Sequence, residues 1–309
     1  MPHDVVILGV FVADAAFRCE RLPRPGETLI GSGFTLGPGG KGSNQAVAAA
    51  MAGARTGFIA RIGQDAFAAI GDTVWSDAGV DPLVFRDAHR ATGAAGIFVE
   101  DGTGANAIVI SPGAAGALTP EDVVARADAI RAARVAVTQL EQPIAAAEAF
   151  LKLAHEAGVM TILNPAPART LPDGMLGLCD YLTPNETEAE ALSGVPVTSP
   201  RDAEHAAAAL MARGVRKAVI VTLGADGALM HDGTQATHIA PMSAGPAIDT
   251  SGAGDAFNGG FAAALARGDA VQDALRFATA TAAVSVTRPG TAASMPRADE
   301  IASLLAQAR

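Results

Sequence analysis

The order of apolar and polar positions along the chain predicts strands that alternate with helices. Short runs rich in valine, isoleucine and leucine predict buried strands, whereas apolar residues spaced three or four apart predict amphipathic helices. The predicted strands span residues 5–11, 57–62, 135–140, 159–163, 181–183 and 218–222. The predicted helices span residues 43–52, 65–77, 144–155, 186–192, 201–211 and 256–266, the first of them capped by Ser43 and closed by Gly53. This alternation is typical of a doubly wound α/β fold with a mostly parallel sheet.

Two regions depart from this alternation. Residues 17–35 and 81–110 have alternating apolar positions broken by Pro-Gly and Asp-Gly turn signals, and they lack helical spacing. We expect two insertions, at about residues 14–38 and 81–112, to form a small antiparallel sheet that acts as a lid on the α/β core. Because the chain has no internal repeat and no long linker, residues 1–309 are expected to form a single domain.

Composition narrows the class of protein. Apolar residues make up 50% of the 309 residues, which is enough for a large core. The first apolar run, residues 5–13, is too short to cross a bilayer and lacks the features of a signal peptide, so no membrane association is expected. The only two cysteines, Cys19 and Cys179, form no disulfide framework, which agrees with a cytoplasmic location.

The charge balance and missing motifs argue against several functions. The chain has 22 Lys and Arg residues against 32 Asp and Glu, a net charge of −10, whereas nucleic-acid binders need a basic face. The six histidines show no H-E-x-x-H or clustered spacing, so a zinc site is not expected. No G-x-G-x-x-G follows the first strand, which argues against a dinucleotide dehydrogenase.

The stretch Asp249-Thr-Ser-Gly-Ala-Gly-Asp-Ala-Phe-Asn-Gly-Gly260 joins a glycine loop to an amphipathic helix. The backbone N–H groups of Gly252, Ala253 and Gly254 are expected to be unpaired at the helix start, where the helix dipole also favours a phosphate. A carboxylate repels such an anion, so we expect Asp255 to have a specific task, accepting a proton from an attacking hydroxyl. The alternative is that the two aspartates cap helices and the glycines form a turn.

The stretch Gly37-Pro-Gly-Gly-Lys-Gly-Ser-Asn-Gln-Ala46 is a second glycine loop that opens a helix. It is not a Walker A loop, because Gly42 stands where serine or threonine would follow Lys41. Glycines let a ligand approach the backbone, and Lys41 and Asn44 supply donors suited to sugar hydroxyls. The alternative is a glycine turn with an incidental solvated lysine.

Three further stretches place polar groups at the expected ligand-binding edge of the sheet. Residues 138–141 end a strand in Glu141 at its carboxyl end. Asn185 and Glu188 form N-x-x-E, which by itself indicates only a helix start with acidic residues in the first turn. Residues 219–227 read as a buried strand that runs into a turn.

The two glycine stretches resemble the signatures of the ribokinase family of sugar kinases, the PfkB group. Residues 249–257 fit D-T-x-G-A-G-D-x-F and residues 39–46 fit G-G-K-G-x-N-Q-A, while residues 164–169 and 183–190 also look like ribokinase sequence. The resemblance covers nearly the whole chain. It implies ATP-dependent phosphorylation of the primary 5-hydroxyl of a sugar, D-ribose first, with Mg²⁺ on the nucleotide and K⁺ nearby. It also implies a homodimer joined through the lid sheets.

The resemblance assigns roles to individual residues. Asp255 matches the catalytic base, and Gly252, Ala253 and Gly254 match the loop that holds the migrating phosphoryl group. The sugar-contacting positions are Asp14, Gly40, Lys41, Asn44, Glu141 and Asp255. The nucleotide positions are Asn185, Thr222, Gly224, Gly227, Gly254 and Thr279, with Glu188 close to Mg²⁺. The monovalent-cation positions are Asp249, Ser251, Ser285, Arg288, Gly290 and Ser294, several acting through backbone carbonyls.

One position departs from the family pattern G-S-x-N-x-D at the end of the first strand. The chain has Gly9-Val-Phe-Val-Ala-Asp14, so Val12 stands where asparagine is expected. A sugar hydroxyl left unpaired there would lose about 1–3 kcal/mol of binding free energy. The departure therefore affects the choice of ribose as substrate more than the expectation of kinase activity. The alternatives are a kinase for another pentose, a ketose or a nucleoside, and a non-catalytic sugar or nucleotide sensor. A sensor has no need of the base Asp255.

Overall fold

The structure is a computed structural model that describes residues 2–307, with a mostly parallel sheet between layers of helices. The strands are β1 (Val5–Leu8), β2 (Val12–Cys19), β3 (Gly33–Gly39), β4 (Thr56–Ile59), β5 (Arg61–Ile62), β6 (Asp81–Pro82), β7 (Phe85–Arg86), β8 (Gly93–Glu100), β9 (Asn106–Ser111), β10 (Val135–Thr138), β11 (Met160–Leu163), β12 (Tyr181–Leu182), β13 (Ala218–Thr222), β14 (Ala228–His231) and β15 (Ala236–Ile239). The helices are α1 (Lys41–Met51), α2 (Ala66–Ala78), α3 (Pro120–Val124), α4 (Ala127–Arg131), α5 (Ile144–Glu156), α6 (Glu186–Ser193), α7 (Pro200–Ala212), α8 (Ala253–Arg267), α9 (Val271–Ser285) and α10 (Ala298–Gln307).

The main sheet has the order β15-β14-β13-β12-β11-β10-β1-β4-β6. Its pairs are parallel from β6 to β13, and β14 and β15 are added antiparallel at one edge. Because the parallel strands are connected through helices, both faces of the sheet are covered and its strands are buried. The predicted doubly wound, mostly parallel α/β fold is confirmed.

The central strand β1 shows how the sequence builds two cores. Its four residues are fully buried, and successive side chains point to opposite faces of the sheet. Val5 and Ile7 belong to the core formed with α1, α8 and α9, whereas Val6 and Leu8 belong to the core formed with α3, α4 and α5. A continuous apolar run therefore indicates a strand with no solvent face, as the sequence predicted.

A second sheet, which we call the lid sheet, has the order β3-β2-β8-β9. The pairs β2–β3 and β8–β9 are antiparallel hairpin-like pairs, and β2 runs parallel to β8. The parallel join follows from the chain order, because each antiparallel pair comes from a separate insertion. The remaining part of the second insertion behaves differently: β6 extends the main sheet and β7 pairs with β5.

Several predicted element boundaries were wrong, and the predicted strand 57–62 is divided between β4 and β5. The first predicted strand, 5–11, is divided, since β1 ends at Leu8 and the chain enters the lid sheet at Val12. Gly9 lies between them, where a Cβ would be only 2.6 Å from the Cα of Gly42. Ser43 does not cap α1 either: the N-cap is Gly40, with φ +91°, and the Ser43 hydroxyl accepts a hydrogen bond from the Trp75 indole at 2.9 Å.

Close contact of α8 with α1 and with α9 depends on two glycines of α8. A Cβ on Gly259 would be 2.4 Å from the Cβ of Ala48, and one on Gly260 would be 2.5 Å from the Thr281 hydroxyl oxygen. Only glycine at these two positions allows α8 to approach α1 on one side and α9 on the other.

None of the helices within residues 2–307 combines the length and the apolar character that a membrane span requires.

Candidate active site

The sequence-predicted polar residues gather at the carboxyl edge of the main sheet. Glu141 follows β10, Asn164 follows β11 and Asn185 follows β12, while α1 and α8 point their amino termini toward the same edge. This is where ligands bind in open α/β sheets, because the loops between strand ends and helix starts meet there.

The Asp255 carboxylate lies at the centre of this edge. It is 6% exposed and occupies the first turn of α8, where the helix dipole favours negative charge. Asn44 donates to its Oδ2 at 3.1 Å, and Gln45 donates to its Oδ1 at 3.0 Å. Both donors come from α1, so the close packing of the two helices is what satisfies the carboxylate.

Gln45 links Asp255 to a buried network of amides. Its Nε2 also donates to Asn164 Oδ1 at 3.1 Å, and its Oε1 accepts from Gln139 at 2.5 Å. The sequence pattern predicted no role for Gln45. The available signal was three consecutive polar residues, Ser43 to Gln45, on what proves to be the buried part of an alanine-rich helix.

Burial raises the pKa of Asp255, and the charge of Lys41 and the bonds from Asn44 and Gln45 oppose that rise. Burial lowers the pKa of Lys41, but the charges of Asp255, Glu141 and Glu188 outweigh it, so this pKa is raised. These opposing effects show that one ammonium group faces three carboxyl groups. The site therefore carries an excess of negative charge that hydroxyl donors or a cation could balance.

Asp14 and Glu141, which the sequence predicted to contact a sugar, lie close to one another and to the start of α1. The Asp14 side chain lies over Gly39, where a Cβ would be 2.2 Å from the carboxylate, and burial raises its pKa to about 6. Glu141 accepts from the backbone N–H of Lys41 at 2.8 Å. Burial raises the pKa of Glu141 to about 7, although the Lys41 bond and charge act in the opposite direction.

Asn44 carries an acceptor that no described residue satisfies. Its Oδ1 is buried and has no hydrogen-bond partner within residues 2–307, although its Nδ2 is used by Asp255. An orphaned acceptor in a buried position is costly unless a ligand donates to it. The Asn44 side chain is thus suited to bridge Asp255 and a ligand hydroxyl.

A cavity of about 530 Å³ adjoins the α8 amino terminus. Among the predicted nucleotide residues, its lining includes Thr222, Gly224, Gly227, Gly254 and Thr279. The lining that sequence reasoning missed is largely apolar and includes Pro241, Met242, Ala247, Phe257, Ala282, Ala283 and Val286. No motif marks these residues, since they come from an irregular segment and from the buried side of α8 and α9. An apolar slot that ends at glycine N–H groups fits a flat ring with an attached phosphate chain.

Asn185 and Glu188 form a capping box at the start of α6. Asn185 accepts from the Glu188 N–H at 2.8 Å, and Glu188 accepts from the Asn185 N–H at 3.0 Å. The N-x-x-E pattern therefore marks a helix start, as the pattern by itself predicted. Asn185 also forms a parallel bridge with Thr222, so the cap lies beside the 530 Å³ cavity. Burial raises the pKa of Glu188, against the effect of its bond from Asn185 and the Lys41 charge.

The glycine loop before α8 is partly as expected. Gly252 is the N-cap with φ +75°, and neither its N–H nor that of Gly254 has an acceptor among residues 2–307. Ala253 was wrongly expected to be unpaired, because its N–H donates to the Thr250 carbonyl at 3.2 Å. The tight turn that reverses the chain before the helix uses this N–H for itself.

Asp249 joins the two loops predicted to bind a cation. Its Oδ1 accepts from the Ser251 N–H and its Oδ2 from the Gly290 N–H, both at 2.9 Å. Arg288 points away and pairs with Glu300. The hydroxyl groups of Ser285 and Ser294 each donate to a carbonyl oxygen within their own loop or helix.

No group of three or more His, Cys, Asp and Glu side chains within the described residues lies close enough to hold a metal ion.

The chain matches known proteins over its full length. The model of the pfkB family of carbohydrate kinases matches residues 2–298. A ribokinase of Haemophilus influenzae is 38% identical over 310 residues, with 100% of each chain covered. A deoxyribokinase of Salmonella typhi is 36% identical, with 96% of this chain and 97% of the relative covered. The structure of Arabidopsis thaliana ribokinase complexed with ribose and ATP matches with a TM-score of 0.91 at 31% identity, covering 99% of each chain.

The network around Gln45 predicts a pKa change. In Gln45→Met the carboxylate of Asp255 loses a donor that favours its charged form, so its pKa should rise and it should take up a proton at higher pH than in the wild type. The carbon-13 chemical shift of the Asp255 carboxyl group, followed through a pH titration, measures this. Gln142→Met is the matched control, because Gln142 is a buried amide that bonds Thr138 and the Gln139 carbonyl. An unchanged titration in Gln45→Met would remove Gln45 from the support of Asp255.

Proposed function

The chain belongs to the pfkB family of carbohydrate kinases, and on that basis we propose that it transfers the γ-phosphoryl group of ATP to the 5-hydroxyl of D-ribose. The new bond joins the sugar oxygen to the γ-phosphorus, and the bond from that phosphorus to the β-phosphate oxygen breaks. ADP leaves, and the hydroxyl proton passes to the Asp255 carboxylate. The products are D-ribose 5-phosphate and ADP.

The observation that carries this proposal is the position of Asp255. Its buried carboxylate is held by two amides of α1, Asn44 and Gln45, and Gly254, one residue away, lines the 530 Å³ cavity. A sugar hydroxyl bound beside residues 37–46 and a phosphate chain bound in the cavity would therefore both lie next to the Asp255 carboxylate. Phosphoryl transfer passes through a loose transition state, so positioning and charge stabilisation matter more than a strong base.

Polar groups around this base support a sugar site. We propose that Asp14, Glu141 and the unpaired Oδ1 of Asn44 accept hydrogen bonds from the sugar hydroxyls and that the Lys41 ammonium group donates to them. Gly40, which has no side chain, would let the sugar approach the backbone. The lid sheet holds Asp14, so closure of this sheet over the sugar would exclude water that otherwise competes as an acceptor.

The 530 Å³ cavity is assigned to ATP, with Thr222, Gly224, Gly227 and Thr279 in its wall and Asn185 beside it. Mg²⁺ bound to the nucleotide would neutralise the phosphate charge. The buried carboxyl of Glu188 near Lys41 fits a place close to this ion. The N–H groups of Gly252 and Gly254, which have no acceptor among residues 2–307, would hold the transferring group, whereas that of Ala253 would act through the turn that orients them.

A second candidate substrate is 2-deoxy-D-ribose. Val12 is 7% exposed and shares a face of β2 with Asp14, two residues on, so its side chain points toward the proposed sugar site. A valine there offers no hydrogen bond to a hydroxyl and suits a sugar that lacks one. A deoxyribokinase stands among the relatives at 36% identity.

We further propose a monovalent cation, K⁺, between the loops joined by Asp249. Both oxygens of Asp249 accept backbone N–H groups, which ties the two loops together and adds negative charge beside them. The residues assigned to it are Ser251, Ser285, Arg288, Gly290 and Ser294, with Arg288 contributing its carbonyl because its side chain pairs with Glu300. The cation would stiffen the loop that presents Gly252 and Gly254 to the phosphoryl group.

The lid sheet supports a homodimer. Residues opposite one another in neighbouring strands share a face, and the face away from Asp14 exposes Phe17 (41%), Phe34 (58%), Leu36 (42%) and Val109 (71%). Such a continuous apolar surface marks an interaction site.

We place the protein in the cytoplasm, in agreement with the two free, buried cysteines.

Replacement of the base should abolish most of the activity and leave the fold. Asp255→Asn is expected to lower kcat by about 10²–10⁴, the range for a positioned general base. The amide of Asn44 can rotate and present its free Oδ1, so the fold and ATP affinity should be kept. Steady-state kinetics, circular dichroism and nucleotide titration measure these properties. The control is Asp273→Asn, an exposed carboxylate in the first turn of α9. A variant with more than about a tenth of wild-type kcat would take Asp255 out of this role.

Val12→Asn should shift preference toward ribose. A donor facing a hydroxyl contributes about 1–3 kcal/mol, so the ratio of kcat/KM for ribose to that for 2-deoxyribose should rise roughly ten- to a hundredfold. The KM for ATP should stay nearly constant. Val12→Ala, which adds no donor, is the control. The same ratio in both variants would place Val12 outside the sugar contacts.

Removal of the cation should act on kcat. Replacing K⁺ by tetramethylammonium at constant ionic strength is expected to lower kcat several-fold, since the phosphoryl-holding loop loses its order, and Asp249→Ala should mimic the loss. Asp232→Ala is a suitable control, because Asp232 also accepts N–H groups in a turn but lies outside these loops. Equal kcat with and without K⁺ would refute the cation site.

The dimer is tested by charge on the apolar lid face. Phe34→Lys should convert a dimer into a monomer in sedimentation velocity, because a buried unpaired ammonium opposes association. Val124→Lys places the same charge on the exposed helix α3, where Val124 is 63% exposed, and should leave the dimer intact. A wild-type protein that sediments as a monomer would contradict the proposal.

A further inference from the structure

A second concavity lies at the amino ends of the central strands, on the edge of the sheet opposite the candidate active site. Its volume is about 350 Å³, and it is formed where β10, β11, β12 and β13 begin. A strand of four residues separates the two edges by roughly 13 Å. Substrates of such sheets bind at the carboxyl ends, so this concavity is not part of the site described above.

The concavity gathers basic side chains in a chain whose net charge is −10. Arg216 and Lys217 share a single carboxylate, since each lies 3.8 Å from Asp180 Oδ1. Arg134 contributes a third cation and donates to the Ala266 carbonyl at 2.8 Å. Three cations and one carboxylate leave two positive charges uncompensated. The nearby carboxylate Asp4 is already paired with another arginine, Arg55, at 2.7 Å.

The Asp180 carboxylate is further engaged on its other oxygen. Oδ2 accepts from the backbone N–H of Thr161 in β11 at 3.0 Å, which fixes the carboxylate against the sheet. It cannot turn to meet either cation at a shorter distance without losing that bond. The 3.8 Å separations therefore reflect a shared and incomplete ion pair.

The guanidinium group of Arg216 is oriented by His155. It lies 2.5 Å from His155 Nδ1, and a guanidinium can only donate, so the imidazole accepts through Nδ1 and retains an Nε2–H donor. The side chains of Arg216 and Lys217 are 46% and 47% exposed, which leaves their charged ends accessible.

Backbone groups cannot supply the binding contacts. The N–H groups of Val159, Met160, Arg216 and Lys217 all donate to carbonyls of the protein. Side chains must therefore provide the contacts to any ligand. We propose that this basic pocket binds a small phosphate-bearing dianion, inorganic phosphate or a phosphate monoester, through Arg134, Arg216 and Lys217. The two excess positive charges match the charge of such a group near neutral pH, and guanidinium groups fit its oxygens.

The test is calorimetric titration with inorganic phosphate and, separately, with glycerol 3-phosphate. A saturating non-hydrolysable ATP analogue with Mg²⁺ occupies the carboxyl-edge site throughout. The double variant Arg216→Gln, Lys217→Gln should bind either probe at least about tenfold more weakly than the wild type, because it loses charge-assisted hydrogen bonds. Arg131→Gln removes an exposed cation outside the pocket and should stay within about twofold of the wild type.

Thermal unfolding distinguishes a binding pocket from a cluster that only stabilises the fold. Phosphate should raise the Tm of the wild type and of Arg131→Gln and leave the Tm of the double variant unchanged. Tighter binding of glycerol 3-phosphate would identify an organic phosphate as the ligand, and equal binding would identify the phosphate group itself. Both results support the proposal.

Three results would overturn the proposal: no phosphate binding by the wild type at millimolar concentration, wild-type affinity in the double variant, or an equal effect of acetate at the same ionic strength. If the double variant does not fold, the single variants Lys217→Met and Arg134→Gln take its place. Methionine keeps the packing of residue 217 near the Tyr181 ring. Each single variant should weaken phosphate binding several-fold, and unchanged affinity in both would also contradict the proposal.

Discussion

The burial of the Asp255 carboxylate is the constraint on which the rest of the structure depends. A buried charge is tolerated only when hydrogen bonds and an opposite charge compensate it, and here Asn44, Gln45 and Lys41 do so from a single helix. These donors reach Asp255 only if α1 and α8 nearly touch. The glycine at 259 makes that contact possible, since any larger side chain would meet Ala48. Compensation of the Asp255 charge therefore depends directly on the close packing of α1 and α8.

The same region is incompletely satisfied by the protein alone. Several carboxyl groups surround one lysine, the pKa values of Asp14 and Glu141 are raised to about 6 and about 7, and Asn44 keeps a buried acceptor without a partner in residues 2–307. Donors that a sugar carries would satisfy these groups. At the start of α8, Gly254 lines the 530 Å³ cavity, and its N–H has no acceptor within residues 2–307. A carbohydrate kinase needs this combination, because it must hold a polyhydroxylated acceptor and a phosphate chain on either side of one base.

The two edges of the main sheet carry opposite charge. The carboxyl edge collects acidic side chains around Asp255, whereas the amino edge collects arginine and lysine around Asp180. Short strands connect the two edges, as β11 shows. At its amino end the Thr161 N–H donates to Asp180. Just beyond its carboxyl end, Asn164 accepts a hydrogen bond from Gln45. Each edge is built from loops that the topology brings together, and the charge of each follows from the few residues that flank the strands.

The sequence by itself determined the fold class, the family and most of the residues near Asp255. Continuous apolar runs such as Val5–Leu8 identify doubly buried strands, and local glycine patterns identify loops at helix starts, because both signals depend only on neighbours in the chain. Tertiary structure decided what depends on contacts between distant segments. Ser43 pairs with Trp75 in place of capping a helix, Gln45 supports a carboxylate 210 residues away, and the apolar cavity wall comes from segments with no shared pattern. These partners become visible only when the close approach of α1 and α8 fixes which side chains meet.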